Sequence, residues 1–384
     1  MTATAASGFV AAGVHCGIKA SGDADLALVA TADGQPAAAA AVFTQNLACA
    51  GPVRVSRAHL AASGGRAAGV ILNSGNANCA TGTDVAVAEE MCALVAAELT
   101  CRTDEVLVCS TGLIGIPLDP APLRAGIPRV AARRRHDGGG DAARAIMTTD
   151  TNAKEAEAGA DGWIVGGMAK GAAMLAPNMA TMLAVLTTDA DIGADALQAS
   201  LSTAAEGSFN RVVVDGCTST NDTVIILANG AAGPPSDPAM FDAALAEVCL
   251  SLATQMVHDA EGHTKVVRVE ITGAATNEEA DRAARKLATS LLVKCSFFGS
   301  DPYWGRVLSD LGTAGVAVDI GTVTVAYGDV VVSRGLAPTG ADAADVVRRP
   351  ELTLACDLGA GDGFAWVFTN DLSHAYVDEN MGRS

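Results

Sequence analysis

The stretch Lys170-Gly-Ala-Ala-Met-Leu-Ala-Pro-Asn-Met-Ala-Thr181-Met-Leu-Ala-Val-Leu-Thr-Thr-Asp189 sets one threonine between a loop carrying Gly171 and Pro177 and an apolar run that reads as a buried strand. A hydroxyl that opens a strand, behind small residues that leave the preceding carbonyl accessible, is the arrangement needed for self-cleavage between Ala180 and Thr181. The hydroxyl attacks that carbonyl, an ester forms, and its hydrolysis leaves Thr181 at a new N-terminus, giving products 1–180 and 181–384. The freed amine then lies beside its own hydroxyl as a built-in base. An unperturbed α-amino group titrates near ~8, so a useful fraction is neutral at neutral pH. Taken alone, a β-branched residue at the start of a strand is ordinary packing. The rest of the chain has to decide.

At 384 residues the chain is long enough for a sizeable core and is expected to form two domains. Half of it is hydrophobic and 18% is charged, which excludes a disordered chain. A formal net charge of -18 argues against a nucleic-acid or anionic-membrane partner, since phosphates are bound by clustered Lys and Arg. Arg133, Arg134 and Arg135 form a basic run, but Gly138, Gly139 and Gly140 follow it, and it reads as a solvated loop face. The ten cysteines are scattered without a CxxC pair and read as small buried hydrophobes in a reducing compartment. Met1 to Val10 lacks the basic start and apolar stretch of a secretory signal, and no segment reads as long enough to span a bilayer. The expected location is the cytoplasm.

Strand-like and helical runs alternate. Gly69 to Leu72 is a short apolar run, and Asp84 to Leu99 carries Val85, Ala88, Cys92, Val95 and Leu99 as a helical stripe with Thr83 or Asp84 as cap. Glu105 to Cys109 reads as a strand that stops at the turn Ser110-Thr111-Gly112. Arg211 to Val214 and Thr223 to Ala228 read as buried strands. The segment Gly230 to Pro238, with three prolines and two glycines, resists both helix and ladder, so the boundary is placed there, giving domains 1–232 and 233–384. Beyond it come a helix over Met240 to Val257, a strand over Lys265 to Ile271, a helix from Asn277 to about Leu292, and strands at Val323 to Tyr327 and Leu352 to Cys356. The pattern supports an α/β chain.

The self-cleavage segment resembles that of the ornithine acetyltransferases, or glutamate N-acetyltransferases, of the ArgJ family. The likeness continues in order through Asn73-Ser-Gly-Asn-Ala-Asn-Cys-Ala-Thr-Gly82, Cys109-Ser-Thr-Gly-Leu-Ile-Gly115, Ile146-Met-Thr-Thr-Asp-Thr151, Ser219-Thr-Asn-Asp-Thr223, Asp259-Ala-Glu-Gly262, Asp301-Pro-Tyr-Trp-Gly-Arg306 and Asp371-Leu-Ser-His-Ala-Tyr-Val377. The resemblance implies an αββα-type sandwich of the N-terminal-nucleophile kind with a second α/β domain. It also implies acetyl transfer from N-acetylornithine to glutamate through a threonine ester, and cleaved α and β chains that assemble as a heterotetramer or larger.

Acyl transfer needs donors for the oxyanion on the attacked carbonyl, and backbone amides in a glycine-containing turn supply them. By resemblance Thr111 and Gly112 are that pair. Thr148, Lys170, Thr181, Glu261, Asn380 and Ser384 fall on substrate-binding positions. N-acetylornithine presents a carboxylate and an ammonium, and buried charges require partners, so Lys170 is assigned to the first and Glu261 to the second. The tail Asn380-Met-Gly-Arg-Ser384 lacks the tyrosine usual in the family and is one residue shorter, and Tyr303 replaces an asparagine; both departures bear on the choice of acceptor. Rival readings are a self-cleaving aminopeptidase or amidase, in which water takes the acyl group, and a paralogue with altered acceptor or retained as a binding protein. The residues do not separate acetyl-CoA from N-acetylornithine as donor. No metal spacing is found among His15, His59, His136, His258, His263 and His374, and no nucleotide fingerprint, so no cofactor is expected.

Overall fold

The computed structural model describes residues 3–175 and 182–381. Ala180, Thr181 and Ser384 therefore lie outside the described residues. The chain forms two compact units, one of residues 1–210 with 217–256 and one of 211–216 with 257–384. The boundary read at 232/233 falls inside the first unit, where Gly230 to Pro238 joins a strand to a helix of the same layered body.

The first unit contains strands β1 (Phe9–Val14), β2 (Leu26–Thr31), β3 (Ala37–Phe43), β4 (Arg66–Ala67), β5 (Gly69–Asn76), β6 (Val106–Leu113), β7 (Lys154–Ala160), β8 (Trp163–Lys170), β9 (Leu183–Ala190) and β10 (Thr223–Gly233). Its helices are α1 (Gly51–Ala62), α2 (Asp84–Leu99), α3 (Pro120–Ala132), α4 (Gly139–Ala145), α5 (Ala194–Glu206) and α6 (Pro238–Val257). The strands make two sheets, β1-β2-β5-β6 and β4-β3-β10-β9-β8-β7. Alternation along each strand sends one set of side chains to each face. Val29, Val70, Leu72 and Leu107 of the four-stranded sheet meet Met168, Val185, Ile225 and Leu227 of the six-stranded one in a shared core. On the far face of the smaller sheet, Leu28, Ile71 and Val108 pack with Met91 and Val95 of α2 and Ile127 of α3.

Helices also cover the outer face of the larger sheet. Gln198 of α5 accepts a hydrogen bond from Ala41 N at 3.1 Å. Leu252 and Val248 of α6 lie 3.2 and 3.4 Å from where a Cβ on Gly167 would sit. The result is the α/β/β/α layering expected from the resemblance. Its central strand β9 is buried at every position and pairs antiparallel with β8 and parallel with β10. Each fully buried Val or Leu there contributes about 1.5–3 kcal/mol before entropy is counted, so the residues just after 181 are firmly anchored. Contrary to the sequence expectation, α6 is long and apolar enough to cross a bilayer by length and composition. Half of that stretch is buried within the chain, and its packing on the sheet accounts for the apolarity.

The second unit has β11 (Val266–Ala274), α7 (Asn277–Ala288), α8 (Leu291–Phe298), α9 (Trp304–Leu311), β12 (Thr324–Tyr327), β13 (Val330–Arg334), β14 (Ala337–Pro338), α10 (Ala344–Val347), β15 (Glu351–Asp357), β16 (Gly363–Asn370) and α11 (His374–Asn380). Its sheet runs β14-β13-β12-β15-β11-β16. Thr276 caps α7 by accepting from Glu279 N, and Ala280, Ala283, Ala284, Leu287 and Ala288 make the buried stripe. The single helix expected to Leu292 is two, because Ser290 restarts the chain as the cap of α8, accepting from Val293 N at 3.3 Å. Arg211 to Val214 is not a ladder strand either. Among the described residues it makes one isolated bridge, Val212 to Phe368.

Of the cysteines, five are buried, three are half-buried, and Cys217 and Cys295 are exposed. Burial pushes the thiols of Cys109, Cys249 and Cys356 up to about 12, as it does Cys16 with the help of Asp25. These are packing residues.

Candidate functional site

The turn expected at Ser110-Thr111-Gly112 is instead the irregular end of a strand. β6 runs on to Leu113 beside β5, with its register broken at Gly75 and Asn76. Gly112 adopts a φ of 135°, and a Cβ there would lie 2.3 Å from Gly75 C and 2.4 Å from Asn76 N. Only glycine lets the two backbones approach this closely. Behind it, Ser110 Oγ donates to Asn73 Oδ1 at 2.5 Å, and Asn73 Nδ2 donates to Asn76 O at 2.9 Å. The strand end is held by side chains where the ladder becomes irregular.

Lys170 is the last residue of β8 and is 3% exposed. Its Nζ donates to Thr111 Oγ1 at 3.3 Å and lies 3.8 Å from Asp150 Oδ2. Asp150 gathers the surroundings: Lys154 Nζ and Gly171 N donate to its Oδ1, both at 2.7 Å, and Thr148 N donates to Oδ2 at 3.0 Å. Burial alone would raise its pKa, but the Lys170 and Lys154 charges and these hydrogen bonds outweigh it and hold the carboxyl well below the usual range. Lys19 Nζ reaches the same neighbourhood, donating to Met147 O at 2.7 Å and Ala24 O at 2.8 Å. Thr111, Gly112, Thr148 and Lys170, distant in sequence, are thus joined in one cluster of the first unit.

Asp222, at the start of β10, is fully buried. Its Oδ1 accepts from Met182 N at 3.0 Å. Burial pushes its carboxyl well above the ordinary value against the opposing effects of that bond, the Ser219 hydroxyl and the Lys170 charge. Its neighbour Asn221 donates through Nδ2 to Ser110 O at 2.9 Å and to Ala77 O at 2.6 Å.

In the second unit, Glu261 is 6% exposed, and Asn380 Nδ2 donates to its Oε2 at 2.8 Å. Asn380 also donates to Tyr376 O at 2.9 Å. Gly262 makes the approach of α11 possible: with φ 60°, a Cβ there would lie 2.2 Å from Tyr376 N. Glu261 and Asn380 are therefore brought together as a pair. Tyr303 is exposed, caps the start of α9, and carries the Arg306 guanidinium 5.7 Å over its ring.

Asp150, Lys154, Asn221 and Asp222 were not singled out from sequence as site residues. Asp150 and the Asn221-Asp222 pair lie inside quoted blocks, and the polar run Ser219 to Thr223 just ahead of the apolar Val224 to Leu227 is a readable signal of a polar network. Nothing local in sequence joins Asp150 to Lys170.

The first unit is defined by an α/β/β/α sandwich with a buried lysine–aspartate cluster against a glycine-bearing strand end. The ArgJ family pattern matches residues 10–382, and the chain belongs to that family. It is 45% identical, over the full length of both chains, to the arginine biosynthesis bifunctional protein ArgJ of Thermobifida fusca. It is 47% identical to the protein of that name from Mycobacterium tuberculosis, over 99% of this chain and 96% of the relative. Among solved structures, the ornithine acetyltransferase of M. tuberculosis complexed with ornithine is 46% identical, covering 46% of this chain and 94% of that one with a TM-score of 0.44. The ArgJ structure from Bacillus halodurans is 36% identical, covering 51% and 96%, with a TM-score of 0.48.

Proposed function

We propose that the chain is a self-processing N-acetyltransferase of arginine biosynthesis, moving acetyl from N-acetylornithine to glutamate by a two-step exchange on Thr181. The observation that carries this reading is the buried Lys170, hydrogen-bonded to Thr111 and close to Asp150, on the strand that leads into the segment containing Thr181. Chemistry begins with processing. Thr181 Oγ attacks the Ala180 carbonyl, the peptide C–N bond breaks as the nitrogen takes a proton and becomes the free amine, and water then hydrolyses the ester to release the Ala180 carboxylate and the Thr181 hydroxyl.

In turnover, the Thr181 amine removes the proton from its own Oγ as the oxygen attacks the acetyl carbonyl of N-acetylornithine. Thr111 and Gly112 hold the oxyanion, a contribution of about 10²–10³ in rate for each donor. On collapse the acetyl C–N bond breaks as the Thr181 amine hands its proton to the leaving nitrogen, which releases ornithine and leaves acetyl-Thr181. The amine of glutamate then attacks that ester, and Thr181 Oγ leaves with a proton. Lys170 and Thr148 receive the α-carboxylate, while Glu261, held by Asn380, receives the side-chain ammonium; Ser384 completes the substrate contacts. Asp150, 3.8 Å away, is the counter-charge beside Lys170. The family name shared by the relatives and the fit of these residues support the reading.

Intact mass spectrometry of purified protein, before and after N-acetylornithine, tests it. The expected result is two polypeptides split before Thr181, the later one gaining an acetyl group on incubation. A Thr181→Ala chain that still yields two polypeptides and still transfers acetyl sinks the mechanism. Release of free acetate without N-acetylglutamate would favour the amidase reading.

A further inference from the structure

The block Ser219-Thr-Asn-Asp-Thr223 has no role in the chemistry above, yet its two central side chains grip both parts of that chemistry. Asn221 Nδ2 donates to Ser110 O, the carbonyl of the peptide unit whose N–H belongs to Thr111. Asp222 Oδ1 accepts the N–H of Met182, the residue covalently next to Thr181. The backbone repeats the connection, since Thr223 N donates to Met182 O at 3.1 Å. Thr220 Oγ1 donates to Asn221 Oδ1 at 2.6 Å, and Ser219 Oγ accepts from Asn221 N at 3.0 Å, so the amide itself is fixed.

Consecutive residues in an extended segment point to opposite sides, which is how one dipeptide can reach two structures. The two sites gripped lie in different sheets, the oxyanion residues on β6 and Met182 just ahead of β9. No ladder hydrogen bond joins β6 to β9, so side chains must set their separation. We propose that Asn221 and Asp222 are positioning residues that fix the strand of the nucleophile against the oxyanion residues, acting through the Ser110 carbonyl and the Met182 amide. This rests on the assignment of Thr181 as nucleophile.

The acceptor geometry of Asp222 sharpens the expectation. Among the described residues Oδ1 accepts from Met182 N and Oδ2 has no hydrogen-bond partner. Only the acceptor Oδ1 is used, and asparagine offers the same acceptor in the same shape. Asp222→Asn therefore keeps the grip, whereas Asp222→Ala releases it. A displacement of about 1 Å at a reacting centre costs on the order of a hundredfold in rate.

The test follows self-cleavage of freshly made full-length chains by intact mass spectrometry, then acetyl transfer by the processed protein. Asp222→Ala and Asn221→Ala should slow cleavage and lower kcat by about tenfold to a hundredfold, with KM for N-acetylornithine held within about twofold. Asp222→Asn should stay within about threefold of wild type on both measures. Wild-type rates in Asp222→Ala overturn the proposal, as does a loss that falls wholly on KM. If Asp222→Ala does not fold, Asp222→Asn decides: a hundredfold loss in that folded variant means the Oδ1 acceptor alone does not account for the residue and overturns the positioning role. A wild-type chain that itself never cleaves overturns the nucleophile assignment, a result separate from cleavage that proceeds regardless of residue 222.

Discussion

Replacing Gly112 by alanine should damage both stability and chemistry, and the two parts can be separated. The new Cβ would meet three backbone atoms, Gly75 C at 2.3 Å, Asn76 N at 2.4 Å and Gly75 O at 2.7 Å. No rotamer relieves a clash with backbone, so β5 and β6 must part. Overpacking of this kind costs about 1–3 kcal/mol, and an unfavourable positive φ adds about 1–3 kcal/mol. Gly115 provides the control: its φ is 82°, but an added Cβ meets nothing within 4 Å. Gly115→Ala therefore carries the conformational cost without the clash. Urea unfolding of both variants should place Gly112→Ala below Gly115→Ala by about 1–3 kcal/mol, the contact contribution alone. Acetyl transfer by Gly112→Ala should fall about a hundredfold, because the strand end carrying the proposed oxyanion donor has moved. Stabilities within about 0.5 kcal/mol of each other would refute the packing argument, since Gly112, at φ 135°, carries the backbone clash that Gly115, at φ 82°, lacks.

Asp150→Asn should lose about 3–5 kcal/mol, because Lys154 and Lys170 remain buried without their shared carboxylate. The folded pKa of Asp150 lies below its unfolded value, so its contribution is present above about pH 4 and fades as pH falls through the folded value. Acid titration of wild type and variant, followed by circular dichroism, should show the two curves converging at low pH. Lys294 gives a slope of the same sign in an alkaline window. Burial, against the charges of Asp215 and Asp371, lowers its pKa from 10.5 to about 8. Between those values the unfolded chain holds the proton that the folded chain has lost, so stability rises with pH by up to about 3 kcal/mol. Lys294→Met should abolish that rise in urea midpoints measured from about pH 8 to 10, and parallel curves for the two proteins would contradict it.

Where one face of an element meets one layer, the sequence was readable. The stripe from Val85 to Leu99 coincides with α2, and Thr223 to Ala228 lies within β10. Readings failed where a partner elsewhere in the chain decides. β3, Ala37-Ala-Ala-Ala-Ala-Val-Phe43, drew no assignment from sequence: its alanines favour helix by propensity, and it lies in a sheet because β10 and β4 pair with it. Ser110-Thr111-Gly112 looked like a turn because glycine suggests one; the structure uses that glycine for close contact with Gly75 inside a continuing strand. For the site, Lys170 and Glu261 were reached only through family blocks, since in isolation each reads as a charged residue at an element's end. Their partners Asp150 and Asn380 are set by contacts across the fold, which spacing in sequence does not encode.

The distribution of thiols offers an experimental handle. Cysteines pushed up to about 12, such as Cys109 and Cys356, hold almost no thiolate at neutral pH and are shielded as well. The two exposed cysteines fall one in each compact unit, Cys217 in the first and Cys295 in the second. With the half-buried Cys16, Cys49 and Cys101 replaced, a maleimide reaction would put one dye on each body, so that a dye's emission reports on its own unit as substrate is added.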